Sequence, residues 1–233
     1  MRIFSLFLWA LCMVLFSLPV WADDDHAEDD FGIWTPVILQ LHAPDPHDRW
    51  YATLTPQPRL KDNATAMDQF LLVPGVGYEV NKHLSVEAGY GWVPNFRDRQ
   101  LDTEHRLWQG IWLRKNFDRL KMFDRLRIEE RFLPGVDNAS VRVRNMLGGR
   151  YYLGEDRRWY LVSFDELFWN VSNHKPGPEG GFNQNRLFMG VGRDIGQRMK
   201  IEGGYNMVFV NAAAPANDRL SHLLMVQVFY TLR

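Results

Sequence analysis

Arginines that alternate along two neighbouring segments form the clearest chemical pattern in this chain. The first segment carries Arg125, Arg127, Glu129 and Arg131, and the second carries Arg142, Arg144 and Arg150. Apolar residues such as Leu126, Ile128, Val141 and Val143 occupy positions between them. A spacing of two places such side chains on one face of a β-strand. The pattern therefore predicts two adjacent strands that share a basic face.

Two interpretations of this basic face follow from its chemistry. A wall of guanidinium groups can bind or conduct anions. The same groups can instead form ion pairs that fill an interior, for which Glu87, Glu129, Asp165, Glu166 and Arg186 are available. The sequence leaves both interpretations open.

Serine and histidine lie close together at two places, Ser172–His174 and Ser221–His222. A serine that a histidine activates is a common hydrolytic nucleophile. On a strand, Ser172 and His174 would share a face, whereas the adjacent Ser221 and His222 would point to opposite faces. No third residue that orients the histidine is identifiable, so we predict no catalytic residues.

Metal and nucleic-acid binding receive no support from the residue pattern. The 7 histidines are scattered, and the group around Ala43-Pro44-Asp45-Pro46 is typical of a turn. A formal net charge of −1 does not point to a nucleic-acid partner. We therefore expect no metal, no cofactor and no nucleic acid.

The elements that must position these residues alternate with a period of two, which is typical of β-strands. Several are long enough to cross a bilayer as tilted strands of about 9–11 residues. The candidate strands are Phe31–His42, Trp50–Lys61, Phe70–Val80, Leu84–Trp92, Glu104–Phe117, Met122–Phe132, Val141–Leu153, Trp159–Val171, Asn183–Asp194, Met199–Phe209 and Leu220–Leu232. Pro56 and Pro58 each remove a ladder donor from the second candidate, which predicts an edge or a bulge there.

The connectors between these strands alternate in length. The short ones are Asn81–His83, Asp118–Lys121, Gly154–Arg157 and Ile195–Arg198. The long ones are Pro94–Thr103, Pro134–Ser140, Asn173–Phe182 and Asn211–Arg219. Short periplasmic turns and longer extracellular loops are the layout of an outer-membrane barrel.

Composition agrees with a barrel that is apolar outside and polar inside. The chain has 9 Trp, 8 Tyr and 15 Phe beside a mean hydropathy of −0.31. Six tryptophans, which we assign to outward faces or strand ends, fit an aromatic girdle at the membrane interface. They are Trp50, Trp92, Trp108, Trp112, Trp159 and Trp169.

The N-terminal segment has the pattern of a secretory signal peptide. Arg2 precedes an apolar stretch from Ile3 to Leu18, and Pro19-Val20-Trp21-Ala22 resembles a cleavage site. We therefore expect a signal peptide over residues 1–22, a disordered acidic leader over 23–30, and a barrel domain over 31–233. Cleavage would remove Cys12, so no disulfide framework is expected.

Four short motifs resemble the domain-of-unknown-function family 2490. They are Phe31-Gly32-Ile33-Trp34, Glu104-His105-Arg106-Leu107-Trp108-Gln109, Arg127-Ile128-Glu129-Glu130-Arg131 and Asn185-Arg186-Leu187-Phe188-Met189-Gly190-Val191-Gly192. The resemblance covers about Asp30 to Arg233. It implies a protein similar to outer-membrane barrels, and it carries over no activity, substrate or catalytic residue.

The sequence thus predicts an all-β, antiparallel up-and-down transmembrane barrel of ten to twelve strands in the outer membrane. Eleven candidates are found, but bacterial barrels usually have an even number, which favours twelve. The predicted function is a narrow channel, or a structural or binding barrel for an unidentified solute. Its expected partners are outer-membrane lipid, the barrel assembly machinery and periplasmic chaperones. The ten candidate lumen residues are Arg125, Arg127, Glu129, Arg131, Arg142, Arg144, Arg150, Arg186, Glu87 and Glu166.

Two alternatives belong to other classes of protein. One is a membrane-embedded lipid hydrolase, similar to outer-membrane phospholipase or lipid A deacylase. The other is a soluble periplasmic β-sandwich that binds a ligand, because a sandwich also alternates apolar and polar residues.

Overall fold

A computed structural model describes residues 30–232 except 44, 46–47, 98–99, 175–176 and 213–217. The expected signal peptide and residues 23–29 of the expected leader lie outside this range. The described residues form twelve strands and contain no helix long and apolar enough to cross a membrane. The strands are β1 (Asp30–Trp34), β2 (Val37–His42), β3 (Trp50–Lys61), β4 (Ala66–Asn81), β5 (Leu84–Arg97), β6 (Gln100–Asn116), β7 (Leu120–Phe132), β8 (Ser140–Tyr152), β9 (Trp159–Asn170), β10 (Gly181–Ile195), β11 (Met199–Val210) and β12 (Arg219–Leu232).

The sheet closes on itself through the first two strands. Both β1 and β2 pair with β12 in parallel and with β3 in antiparallel, so together they form one interrupted strand. The barrel therefore has eleven strands around its wall. The preference for twelve strands was wrong. An up-and-down barrel with an odd number of strands can close only if its first and last strands pair in parallel, and they do so here. The prediction that all neighbouring strands are antiparallel was wrong for this closing pair. Every other neighbouring pair is antiparallel.

Most strand bounds lie close to the predicted ones, and Trp50–Lys61 coincides with β3. The long loop predicted over Pro94–Thr103 is wrong, because Pro94 pairs with Thr103 in the β5–β6 ladder. Cross-strand pairing there continues to Arg97 and Gln100 despite the proline. Asp30, assigned to the leader, is the first residue of β1.

The barrel has two rims, which we name after the two ends of β12. Strands β1 and β12 begin at the N-terminal rim, and β12 ends at the C-terminal rim. Connectors 82–83, 117–119, 153–158 and 196–198 lie at the C-terminal rim. Connectors 62–65 and 133–139 lie at the N-terminal rim, as do the described residues of connectors 171–180 and 211–218.

The outer face of the barrel is predominantly apolar. Exposed leucine, isoleucine and valine side chains cover its middle, including Leu107, Ile111, Leu126, Leu161 and Val191. Exposed aromatic side chains lie toward the C-terminal rim (Trp50, Phe117, Tyr151 and Trp159) and toward the N-terminal rim (Phe31, Trp92, Phe96, Phe132 and Trp169). Trp108 and Trp112 line the interior instead, so their assignment to the outer girdle was wrong.

Aromatic and aliphatic side chains fill one side of the interior. This apolar cluster consists of Trp34, Tyr152, Tyr160, Val162, Phe188, Val208, Leu223 and Met225. Glycines on neighbouring strands make room for its rings. A Cβ at Gly192 would lie 2.2 Å from the Tyr160 ring, so only glycine fits opposite that tyrosine.

Candidate functional site

All ten predicted lumen residues lie on the inner side of the barrel. Eight of them line a central cavity: Glu87, Arg125, Arg127, Glu129, Arg144, Arg150, Glu166 and Arg186. Arg131 and Arg142 are held inside by buried glutamates. The alternation along β7 and β8 produces this arrangement, and their register places Glu129 opposite Arg142 and Arg127 opposite Arg144.

Six arginines share three buried glutamates; we call this group the ionic wall. Glu104 binds Arg106 at 2.7 Å and Arg131 at 2.6 Å. Glu129 binds Arg142 at 2.7 Å and Arg144 at 2.5 Å. Glu166 binds Arg144 at 2.7 Å, Arg186 at 3.7 Å and also Arg125. Six cations and three anions leave the ionic wall with three excess positive charges.

Arg127 is less completely paired than the ionic wall. Its nearest carboxylate oxygen belongs to Glu87, at 3.9 Å. Glu87 also accepts hydrogen bonds from the Tyr51 hydroxyl at 2.9 Å and the Trp112 indole N–H at 2.8 Å. The Arg127 guanidinium lies over Trp108, 3.9 Å from the ring centroid, and its Nε is buried without a hydrogen-bond partner among the described residues. A buried donor without a partner is costly, and an anion in the cavity would satisfy it.

Arg59 resembles Arg127, although the sequence did not single it out. It is 6% exposed, it donates to Gln69 at 2.7 Å, and it stacks on Trp34 at 3.9 Å. Its buried Nε lacks a hydrogen-bond partner, and no ion pair involves it in the described part of the chain. Arg186 lies over the same ring at 4.9 Å, so two cations share one indole.

The sequence predictions also omit Glu104, Arg106, Arg114 and Glu202. Glu104, Arg106 and Arg114 lie at alternate positions of β6, as the predicted arginines do on β7. That signal was present, but Trp108 and Trp112 interrupt it. Glu202 had no such signal, because it lies between Ile201 and the glycine pair Gly203-Gly204. It accepts from Arg150 at 2.5 Å, Tyr160 at 3.0 Å and Gln227 at 2.9 Å.

The central cavity has a volume of about 490 Å³ and a basic lining. Among the described residues, ten basic side chains and four glutamates line it. They are Arg59, Arg106, Arg114, Lys121, Arg125, Arg127, Arg144, Arg150, Arg186 and Lys200, with Glu87, Glu129, Glu166 and Glu202. A volume of this size is within the range of small-molecule sites.

The two ends of the cavity differ. At the C-terminal rim its lining includes the exposed residues Asn116 and Lys121. Toward the N-terminal rim, Glu104, Arg131 and Arg142 are not part of the lining as far as the structure describes the chain. These three side chains, with their partners, form a buried ionic layer that we call the N-terminal seal. The cavity therefore reaches the C-terminal rim, and on the side of β6 to β8 the N-terminal seal lies between it and the N-terminal rim.

Asp165 does not join the interior ion pairs, so that suggestion is corrected. Glu166, its neighbour in the sequence, faces inward, and adjacent strand residues point to opposite faces. Asp165 accepts a hydrogen bond from the Asn185 amide at 2.7 Å on the outer side of β9 and β10.

One of the two serine–histidine pairs is in contact. His174 Nε2 lies 3.1 Å from Ser172 Oγ, which also accepts from the Val141 N–H at 2.9 Å. His222 stacks on Tyr205 and bonds to its hydroxyl at 2.5 Å, away from Ser221. No group of three or more metal-ligating side chains was found in the described residues.

Comparison with known proteins identifies the family of this chain. Residues 31–219 match the family described as "Protein of unknown function (DUF2490)". An uncharacterized protein of Methylorubrum extorquens is 30% identical over 178 residues, which cover 74% of this chain and 77% of that protein. No solved structure matches the chain. The chain belongs to the DUF2490 family of proteins of unknown function.

Proposed function

We propose that this protein is an outer-membrane β-barrel whose lumen is a binding pocket for an anionic solute. The observation that carries the proposal is the surplus of buried cations, since six arginines share three glutamates in the ionic wall. Uncompensated charge is costly to hold in a barrel interior. A bound anion would offset it.

The outer face supports the placement in a membrane. Its exposed apolar side chains form a band between two sets of aromatic side chains near the rims. This arrangement is typical of transmembrane barrels, in which aromatic girdles lie at both interfaces. The strands β3 to β12 contain 12 to 17 residues, which is enough to span a bilayer at a tilt.

The N-terminal seal favours a binding pocket over a conducting channel. Glu129 and Glu104 are 1% and 3% exposed, and each of them holds two arginines at that level of the interior. An ion could cross this layer only if several of these pairs separated. We propose that the C-terminal rim faces the periplasm, so that the solute enters from that side. Periplasmic chaperones and the barrel assembly machinery would bring the chain to the outer membrane and insert it.

Two measurements on the refolded chain test this function. A faster-migrating band before boiling on a gel tests the closed barrel, and a planar-bilayer recording tests conduction. We expect the shifted band, no steady conductance, and binding of inorganic phosphate detected by tryptophan fluorescence. Steady conductance would contradict the seal and favour the narrow channel. Failure to bind any anion would leave the lumen as structural filling.

Arg127→Gln is the informative variant, because Arg127 contacts the cavity with a donor that lacks a partner. We expect it to weaken phosphate binding about tenfold, which corresponds to one hydrogen bond to a charged group. Arg157→Gln is the matched control, because Arg157 is on the surface and binds Asp118. Equal effects of both variants would argue against a site in the lumen.

A lipid hydrolase is the second candidate, and the 3.1 Å contact between His174 and Ser172 favours it. The described residues place no carboxylate in hydrogen-bond contact with His174, so the set needed to orient the base is incomplete. Ser172→Ala should abolish fatty-acid release from phospholipid in mixed micelles, and Ser221→Ala should not. The hydrolase is excluded if the unaltered barrel releases no fatty acid.

A further inference from the structure

The hydrogen-bonded ladder between the interrupted first strand and β3 has a gap. β2 pairs with β3 over residues 39–42, and β1 pairs with β3 over residues 33–34. Residues 35–38 and 55–58 lie opposite each other between these two blocks and have no register pairing. We call this stretch of the wall the proline seam.

Two prolines of β3 are responsible for the gap. Thr35 N donates to Pro58 O at 3.2 Å, so these two residues occupy a hydrogen-bonded position of the ladder. Because hydrogen-bonded positions alternate in an antiparallel pair, Pro56 occupies the next one, opposite Val37. Neither proline has an N–H to donate toward the first strand. On the other side of β3, the pairing with β4 continues past Pro56 and Pro58.

The proline seam separates the cavity from the apolar outer face. On its inner side, Pro36 and Ile38 from the first strand and Thr55 and Gln57 from β3 line the cavity. On its outer side, the two prolines of β3 alternate with these residues and continue the face of the exposed Leu54. The wall at the seam therefore lacks the two ladder bonds that N–H groups at Pro56 and Pro58 would donate, although Thr35 N still donates to Pro58 O.

The cavity beside the seam combines cations with apolar surface. Arg59 lies at its inner edge, buried against Trp34, with an Nε donor that has no partner among the described residues. Ile38, Leu71 and Val73 line the same side. A small free anion would use the cations only. An anion that carries an apolar chain would use both surfaces.

We propose that the pocket binds the oxyanion head of a single-chain amphiphile, and that the apolar chain leaves the barrel through the proline seam. The phosphate or carboxylate head lies among Arg59, Arg127 and Arg186, and the chain passes between residues 35–38 and 55–58 to the apolar outer face. This inference rests on the proposed anion-binding function and names the class of its ligand.

Three probes separate the contributions of head and chain to binding by the refolded barrel held in amphipol. Dodecyl phosphate carries both parts, inorganic phosphate carries the head alone, and dodecyl maltoside carries the chain with a neutral head. We expect dodecyl phosphate to bind at least about tenfold more tightly than inorganic phosphate, because burial of two methylenes already contributes that much. We expect a similar preference over dodecyl maltoside, because one hydrogen bond between charged groups contributes about as much. Arg59→Gln should reduce the preference for dodecyl phosphate over dodecyl maltoside, because it removes one of the cations proposed to hold the head.

The double variant Pro56→Val/Pro58→Val restores both missing donors and should complete the ladder. We expect it to bind inorganic phosphate as the unaltered barrel does, and to lose the preference for dodecyl phosphate. Pro74→Val is the matched control, because Pro74 lies in the next strand, away from the seam. A disulfide across the seam that keeps both prolines, Ile38→Cys/Thr55→Cys, should abolish the preference when oxidised and restore it when reduced.

The outcomes distinguish this inference from the function on which it rests. Equal affinity for dodecyl phosphate and inorganic phosphate, or equally tight binding of dodecyl maltoside, overturns the amphiphile proposal and leaves the anion pocket intact if phosphate binds. Retention of the preference in both the valine and the disulfide variants overturns the route through the seam. If neither dodecyl phosphate nor inorganic phosphate binds, both the anion pocket and the amphiphile proposal are overturned.

Discussion

The ionic wall and the apolar cluster fill the same interior by different means, although β8, β9 and β10 contribute side chains to both. The apolar cluster packs rings and aliphatic chains against each other, and its buried carboxylate, Glu202, has three donors. The ionic wall fills a similar space with guanidinium groups, and each of its carboxylates serves at least two of them. The apolar cluster therefore needs no counter-ion from outside, whereas the charge of the ionic wall is not balanced.

This difference separates structure from function within one barrel. Apolar contacts require only shape, so the apolar cluster needs nothing beyond the chain itself. Buried cations require anions, and the ionic wall has too few of its own. We therefore expect substitutions in the apolar cluster, apart from Trp34, on which Arg59 and Arg186 stack, to change stability alone. Substitutions in the ionic wall should change both stability and anion binding.

The largest effect is expected at Glu166, where one carboxylate serves three arginines. Glu166→Gln leaves those charges buried without their partner, and we expect it to lower the free energy of unfolding by about 3–5 kcal/mol. Urea titration in detergent micelles measures this. Glu79→Gln, at an exposed position of β4, is the control. A loss as small as that of the control would mean that water or an anion already compensates the wall.

The apolar cluster should respond next, at Leu223, which is buried between β11 and β1. Leu223→Ala removes packed methyl groups and should lower the free energy of unfolding by about 2–5 kcal/mol. The same urea titration measures the loss. Phosphate affinity, measured by fluorescence, should not change. A decrease in that affinity would show that the apolar cluster and the ionic wall are energetically coupled.

A smaller effect is expected where a ring faces a glycine. Gly192→Ala would place a Cβ 2.2 Å from the Tyr160 ring, and the displacement of that ring should cost about 1–3 kcal/mol. The temperature at which the fast-migrating gel band disappears should fall. Gly203→Ala is the matched control, because nothing lies within 4 Å of its added Cβ. Similar shifts for both variants would contradict the steric explanation.

The smallest effect is expected for an ion pair on the surface. Arg157 binds Asp118 at 2.5 Å, a distance like those in the ionic wall, but the side chains are 48% and 75% exposed. Arg157→Ala should change the free energy of unfolding by no more than about 1 kcal/mol, since water screens the pair. Urea titration at low and high salt measures it. A loss comparable with that at Glu166 would show that burial does not set the strength of these pairs.

Side-chain direction within a strand was largely predictable from the sequence. The arginines of β7 and β8 face inward as the alternation indicates, because successive strand residues point to opposite faces. The same rule, applied to β6, would have placed Trp108 and Trp112 beside Arg106 in the interior. Their assignment to the outer girdle followed residue type instead of position.

Partners across the barrel were not predictable in the same way. Arg125 of β7 binds Glu166 of β9, and Arg150 of β8 binds Glu202 of β11. In neither pair are the two strands neighbours in the sheet. Such contacts depend on barrel width and on the height of each residue, and neither is encoded in a local pattern. Arg59 was not predicted, because no other arginine alternates with it along β3 as the arginines of β7 and β8 alternate with each other.

The sequence alone determined most of the strands and the inward faces of β7 and β8, because alternation is a local property that each segment carries by itself. Its short motifs also indicated the family. Tertiary structure alone decided the closure and the pocket. The parallel pair between β1 and β12 joins the two ends of the described chain. The surplus of charge likewise becomes visible only when arginines and glutamates from separate strands meet in one interior, where each carboxylate must serve whichever guanidinium groups closure brings to it.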